Sequence, residues 1–412
     1  MPSQLWNPSS TVHLLGQTGG SRGTPAPVPH DLKWVRDGAV NKLLAIEARG
    51  GRSWRHANWE TPGGGGIVQL LRFSAIGAPA VRTFVQLDPA IPGVSPAYGR
   101  RVRLLRWAGR VLGVPQPHPR YVALEQPLPI AHWMAAVLRA GETPHLMTFT
   151  SPAVRLCRAA LEAGVDLRGA QLTVTGEPMT AARLAAIRRA GASVVSRYGS
   201  NESGTMGYGC LRPEAPDEVH LWHDLHALVQ PGSSLPDSGL PGQALLISSL
   251  RPTAPVILLN VSMGDQAELV QRACGCGLER LGWTTHVRTI RSFEKLTAGG
   301  MTFLDTDVIR VLEVVLPARF GGGPTDYQLI EDEAEGGGAC LRLLVHPAIG
   351  PLDADAVAQV FLEVIGSESP SQRIMALQWR AGGVLRVERR PPLITASGKI
   401  LHLHQERDPV AP

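Results

Sequence analysis

A chain of 412 residues with 44% hydrophobic and 18% charged side chains can bury a large core and form two domains, which excludes a disordered or fibrous protein. The net charge of +5 permits an anionic partner, but Lys and Arg are scattered, with only short clusters such as residues 100–106 and 386–390; specific nucleic-acid binding is not expected, and a basic enzyme acting on anionic nucleotides explains the same balance. No apolar run reaches bilayer length and no basic-then-apolar leader opens the chain, so the expectation is a cytoplasmic protein without a membrane partner.

The string TGGSRGTP, residues 18–25, is a glycine-rich loop with hydroxyls, a composition whose successive N–H groups can form a concave anion site. Taken alone, such a string is more often an ordinary turn. Residues 25–29, 63–66 and 89–119 read as loop material from their prolines and glycines. From residue 145 the pattern becomes regular. A strand at 145–149 leads to a helix at 151–163 closed by Gly164. A buried strand at 172–174 follows, then Thr180 as N-cap, a helix at 181–190 stopped by Gly191, and a strand at 192–196. This βαβαβ run predicts a parallel sheet whose two polar loops emerge at one edge, where open α/β sheets bind ligands. Phe149, Thr150 and Ser151 lie in the first strand-to-helix turn, as acid-pocket candidates or as plain packing.

Near residue 290 the regime changes. Helices at 305–316 and 353–365, strands at 327–332 and 339–346 joined through a turn at 333–338, and strands at 375–378 and 384–387 compose a small α+β domain. The predicted fold is α/β: a large N-terminal domain, 1–290, with mixed or parallel sheets flanked by helices, plus a small C-terminal α+β lid, 291–412.

Taken in order, these motifs resemble those of the adenylate-forming ligases, and within them the phenylacetate–CoA ligase-like branch, over nearly the whole chain. Thr18, Gly19, Gly20, Ser21, Arg22 and Gly23 resemble the family's SSGTTGKP phosphate loop; Gly176, Glu177 and Pro178 its G-E-P adenine loop; Tyr198, Gly199, Ser200, Asn201 and Glu202 its YGxSE or YGxTE motif. Asp265 stands where the family's aspartate holds the ribose hydroxyls, Arg291 matches the hinge-region arginine with Glu294 near the hinge aspartate, and Lys399 of SGK matches the catalytic lysine. The resemblance implies an ATP-dependent ligase. A carboxylic acid, aromatic or similarly small, is activated as an acyl-adenylate and then transferred to the thiol of CoA. ATP/AMP binding would fall to the loop, adenine and ribose residues, Mg²⁺ to Glu202, and charge neutralisation between carboxylate and α-phosphate to Lys399. This sequence departs from the pattern at Thr24 (family Lys), Arg22 (family Thr) and Asn201 (family Ser or Thr). Leu259 and Asn260 stand where an arginine precedes the ribose aspartate, and the phosphate loop begins within twenty residues of Met1, where the family usually has a longer leader.

Cys274 and Cys276, one residue apart, with Cys210 and His220 upstream, suit either a closed tetrahedral Zn²⁺ site or buried reduced thiols; the spacing is not a zinc-finger pattern. Some members of the phenylacetate branch carry a matching Cys, His, Cys-x-Cys set, which implies structural zinc. Cys157 and Cys340 read as core residues.

Two other functions share these residues. One is an adenylating enzyme that loads a carrier-protein phosphopantetheine or an amine. The other is a zinc-stabilised homologue, catalytically impaired through Thr24. A dimer is compatible with every reading.

Overall fold

The computed structural model describes residues 5–17, 27–62, 64–88, 96–232, 239–293, 297–298, 301–302, 305–333, 339–367, 373, 376–377, 379–380, 383–395 and 398–405. The chain divides into two compact units, Met1–Ile290 with Ala396–Lys399, and Arg291–Thr395 with Ile400–Pro412.

The first unit is built on a twelve-stranded mixed sheet. Its parallel half runs, in spatial order, Pro119–Tyr121, Arg82–Val85, Arg55–Glu60, Pro144–Phe149, Gln171–Thr175 and Ser193–Ser200. The other half continues through Gly204–Gly209, Val219–Leu221, Thr285–Ser292, Val261–Gln271, Ala244–Ser249 and His226–Val229, with antiparallel pairing wherever the register is defined. Its parallel strands are nearly continuous apolar runs, as strands covered on both faces require: Pro144–Met147 and Leu172–Val174 are all buried.

Local chemistry sets the βαβαβ stretch. Helix Thr150–Glu162 buries Ala153, Val154, Leu156, Cys157 and Ala160 along one side, and Gly164, at φ +66°, ends it. Helix Ala181–Arg189 begins where the Thr180 hydroxyl accepts from the Arg183 N–H, and Gly191, at φ +82°, ends it.

Four stretches differ from expectation. Pro27–His30 is a strand, paired antiparallel with Leu14–Gln17; as an isolated two-stranded ribbon it tolerates prolines a central strand would not. Gly64–Gly66 open the helix Gly64–Ala75, and the proline-bearing stretch 89–119 contains the helix Pro96–Val111, flanked rather than interrupted by its prolines. The strand at 193–200 extends through Tyr198, Gly199 and Ser200, because those residues pair with Gly204–Gly209 instead of leaving the sheet.

The second unit is a four-stranded sheet in the order Leu385–Glu388, Ala339–Val345, Tyr327–Glu333, Leu403–Gln405. Its central pair is antiparallel and its outer pairs are parallel. Val311, Leu312, Leu329, Leu341, Phe361 and Ile365 form its core. The helix expected at 305–316 is Asp305–Arg310, a π turn over Val311–Val315, and Leu316–Phe320. Pro317 has no N–H for the residue-313 carbonyl, which breaks the i→i−4 ladder there. The turn aims the buried Glu313 carboxylate at His402 Nε2, 2.6 Å away. Ala376 and Leu377, expected in a strand, are helical.

Candidate functional site

Five parallel strands, ending at Glu60, Val85, Phe149, Thr175 and Ser200, deliver their following residues to one edge of the sheet. After Thr175 the chain turns at Gly176, whose φ of +82° favours glycine. A Cβ at that position would lie 2.7 Å from Lys399 Cε and 2.8 Å from Phe149 Cδ1, so the bare glycine is the seat on which the Lys399 side chain rests. Lys399 Nζ stands 5.5 Å from the Phe149 ring centroid, within range of a cation–π attraction. Gly398, at φ +80°, is pressed against Gln86: a Cβ there would meet Oε1 at 1.9 Å. Gln86 is itself anchored through Nε2 to the Trp59 carbonyl, 3.0 Å.

The side chain of Glu177 is turned into the protein. Its carboxylate accepts from the Ser151 N–H at 2.8 Å and the Ser151 hydroxyl at 2.5 Å, and lies 3.5 Å from Arg183, with both acid and arginine side chains 1% exposed. The acid therefore caps helix Thr150–Glu162 and ties it to helix Ala181–Arg189, a placement the N-terminal helix dipole favours. Thr150 donates to the Glu177 carbonyl, 3.1 Å, so Thr150 and Ser151 hold this loop and are packing residues, not pocket walls. Phe149, half-buried, is the member of that turn that meets Lys399.

One strand over, Arg197 pairs with Thr175, so Tyr198 follows at the level of Gly176. The Tyr198 hydroxyl donates to Asp265 Oδ2, 3.1 Å away, bringing together two residues 67 positions apart. Gly199 sits at a register shift where a Cβ would fall 2.1 Å from the Gly204 carbonyl. Ser200 is bonded to Ser203; Asn201 is exposed and Glu202 half-buried in the turn between the two strands. Arg291 lies in strand Thr285–Ser292 and groups with the second unit. Thr18, Gly19, Gly20, Ser21, Arg22, Gly23, Thr24 and Glu294 lie outside the described residues.

At the same edge a cavity unmarked by any motif is lined by Asn58, Glu60, Thr83, Tyr98, Arg106 and Gln116. Asn58 Oδ1, Thr83 Oγ1, Arg106 Nε and Gln116 Oε1 are buried there without a hydrogen-bond partner among the described residues. Burial pushes the Glu60 carboxyl up, against the pull of Arg197, Lys42 and Arg72; burial and Glu60 together raise Tyr98 to about 12. Nothing in residues 55–62 announces this set, since it forms only when neighbouring strands and helix Pro96–Val111 meet.

Cys210, His220, Cys274 and Cys276 are all buried, and their ligand atoms lie within 4.8 Å of one another. His220 Nε2 is 3.3 Å from Cys276 Sγ and 3.7 Å from Cys274 Sγ. A tetrahedral zinc with Zn–S of about 2.3 Å and Zn–N of about 2.0 Å has S···N edges of about 3.5 Å, so the donors stand at metal-binding spacing. The other ring nitrogen, Nδ1, lies 2.5 Å from the Trp283 carbonyl, which leaves Nε2 for a metal. Gly275, at φ +68°, turns both thiols of Cys-x-Cys inward, and Arg272 approaches Cys210 Sγ at 3.7 Å.

No protein-family model and no curated protein matches the sequence. Solved structures do. Aligned to a 2-hydroxyisobutyryl-CoA ligase in the post-adenylation state with R3-HIB-AMP, the chain has a TM-score of 0.61 at 16% identity, over 99% of this chain and 75% of that one. The anthranilate CoA ligase AuaEII in complex with anthranoyl-AMP gives 0.54 at 13%, over 94% and 65%. McyG A-PCP complexed with phenylalanyl-adenylate gives 0.53 at 12%, over 95% and 65%. At such identities the likeness is one of fold: the chain has the fold that these CoA ligases and McyG A-PCP share.

Proposed function

We propose that the protein is an ATP-dependent, AMP-forming acid–thiol ligase that converts a small carboxylic acid, aromatic or similar, into its acyl-adenylate and passes the acyl group to CoA. The observation that carries this reading is Lys399 seated on Gly176 beside Phe149, at the sheet edge that also brings Tyr198 to Asp265. A carboxylate becomes a good electrophile only when its oxygen attacks the α-phosphate of ATP, and the charge that gathers there needs a preorganised cation. Lys399 supplies one. Asp265, oriented by Tyr198, would hold the ribose hydroxyls, and Gly176, Glu177 and Pro178 would offer backbone to the adenine. Thr18 to Gly23 would hold the departing pyrophosphate and Glu202 a Mg²⁺, which neutralises phosphate charge when bound. The cavity lined by Asn58, Glu60 and Thr83 has room for about one water molecule, whose donors its buried acceptors would take. Residues 291–412 would act as the lid, pivoting near Glu294 between the half-reactions. Cys210, His220, Cys274 and Cys276 would hold a structural zinc, since four protein ligands leave no open position.

The neighbours crystallised with acyl-, aryl- and aminoacyl-adenylates support acid activation as the common chemistry. Acid-dependent exchange of pyrophosphate into ATP, run across a panel of carboxylic acids, tests it. Exchange with at least one acid, followed by an acyl-CoA when CoA is added, is the expected result. Exchange without acyl-CoA would move the acceptor to a carrier-protein phosphopantetheine or an amine. Failure with every acid would favour the impaired homologue.

A further inference from the structure

The helix Pro96–Val111 buries only one of its sides. Val102 and Leu105 line the cavity beside Glu60, and Arg101 donates to the Leu15 carbonyl, 3.1 Å. On the other side Leu104, Trp107, Val111 and, just past the helix, Leu112 are 63, 64, 67 and 76% exposed. Steps of three and four residues put Leu104, Trp107 and Val111 in one stripe. Single exposed apolar residues are ordinary, whereas a contiguous row on one helix marks a contact surface. Arg100, Arg103 and Arg110 are exposed on the same side. Between Asp88 and Glu125 the sequence holds no acidic residue but six arginines, at 100, 101, 103, 106, 110 and 120.

We propose that this helix docks the protein on an anionic phospholipid surface, lying in the headgroup plane with Trp107, Leu104 and Val111 at the acyl boundary and Arg100, Arg103 and Arg110 among the phosphates. Charge complementarity selects the occupant: a row of cations with no acid for 36 residues calls for a partner negative along its whole length. A lipid surface meets that demand without a register: Arg100 lies within the stripe, and Arg103 and Arg110 run along one flank of it. Position agrees, because the helix connects the last two strands of the sheet, Arg82–Val85 and the edge strand Pro119–Tyr121, where a flat surface has access. No helix among the described residues is long and apolar enough to cross a membrane, which leaves in-plane binding as the mode. From the sequence alone such a helix, apolar on both sides with arginines between, reads as neither span nor core, and the expectation is of no membrane partner.

The 412-residue protein is pelleted with vesicles of phosphatidylcholine alone and of phosphatidylcholine with phosphatidylglycerol, at low and high salt. Binding to the mixed vesicles that weakens with salt, and little to the neutral ones, is expected. Replacing Arg100, Arg103 and Arg110 by Gln should weaken it about 10²-fold, at about fivefold for each arginine. Leu104→Gln with Trp107→Gln should weaken it about tenfold or more. Because every replaced side chain is exposed, both variants should unfold at the wild-type temperature, and either suffices should the other misfold. Equal binding to both vesicle types, or wild-type binding by both variants, overturns the proposal. No vesicle binding, with capture of an acidic protein lost on Arg100→Gln, overturns it in favour of a protein partner.

Discussion

Replacing Gly176 by alanine should separate the seat of Lys399 from the stability of the loop that provides it. The new Cβ would stand 2.7 Å from Lys399 Cε and 2.8 Å from Phe149 Cδ1. Restoring ordinary carbon contact at about 3.5 Å moves the lysine by about 0.8 Å. A misplacement near 1 Å at a reacting centre costs about 10²-fold in rate. The backbone at φ +82° adds about 1–2 kcal/mol of strain for any L side chain. Gly164→Ala is the matched control, because φ there is +66° and a Cβ meets nothing within 4 Å. Both variants should lose similar stability by thermal unfolding. Only Gly176→Ala should lose acid-dependent pyrophosphate exchange, by tens of fold to about 10²-fold. Equal exchange by the two variants would show that the place of Lys399 on Gly176 plays no part in the reaction.

Protein purified without added zinc should carry about one zinc per chain, and Cys276→Ser should lose it together with thermal stability; metal-free protein of full stability would dismiss the metal centre. Lys42 lies in the core with Nζ 3.2 Å from Gln69 Oε1 and over the Phe73 ring, and burial, with Arg72 and Arg197, holds its pKa well below the usual lysine value. A base depressed in the folded state penalises folding while the unfolded chain remains protonated. Denaturant titrations should therefore show the advantage of Lys42→Met over wild type shrinking as pH rises towards 10.5, and a difference constant with pH would refute a depressed lysine. Burial and Arg72 lower His30 to about 4. Its unfolded value of 6.5 is higher, so the unfolded state binds more protons in between and stability falls as pH falls from 6.5 to 4. His30→Phe, which can keep the stack on Trp34 (5.8 Å between centroids), should flatten that limb by up to about 3 kcal/mol, and an unchanged acid limb would contradict it.

Legibility followed the range of the forces involved. The run from Pro144 to Ser200 could be read because each cue is local: apolar runs mark buried strands, the Thr180 hydroxyl bonds a backbone three residues on, and Gly164 and Gly191 take the left-handed conformation that ends a helix. The prolines around 89–119 misled, because proline forbids a helix interior but not its flanks, and the Pro96–Val111 interior contains none. Met375–Gln378 misled because four residues cannot distinguish period 2 from period 3.6.

The amino-acid sequence by itself determined the α/β class, the parallel run and the glycine turn at Gly176, since these depend on backbone preferences and on alternation within a dozen residues. Only the tertiary structure decided that the Glu177 carboxylate caps a helix, that Tyr198 reaches Asp265, that Lys399 rests on Gly176, and that Asn58, Thr83 and Gln116 share a cavity. Each of those contacts joins residues that chain connectivity leaves independent. Packing chooses among their possible partners by burying apolar surface everywhere at once, and that choice is a property of the whole fold.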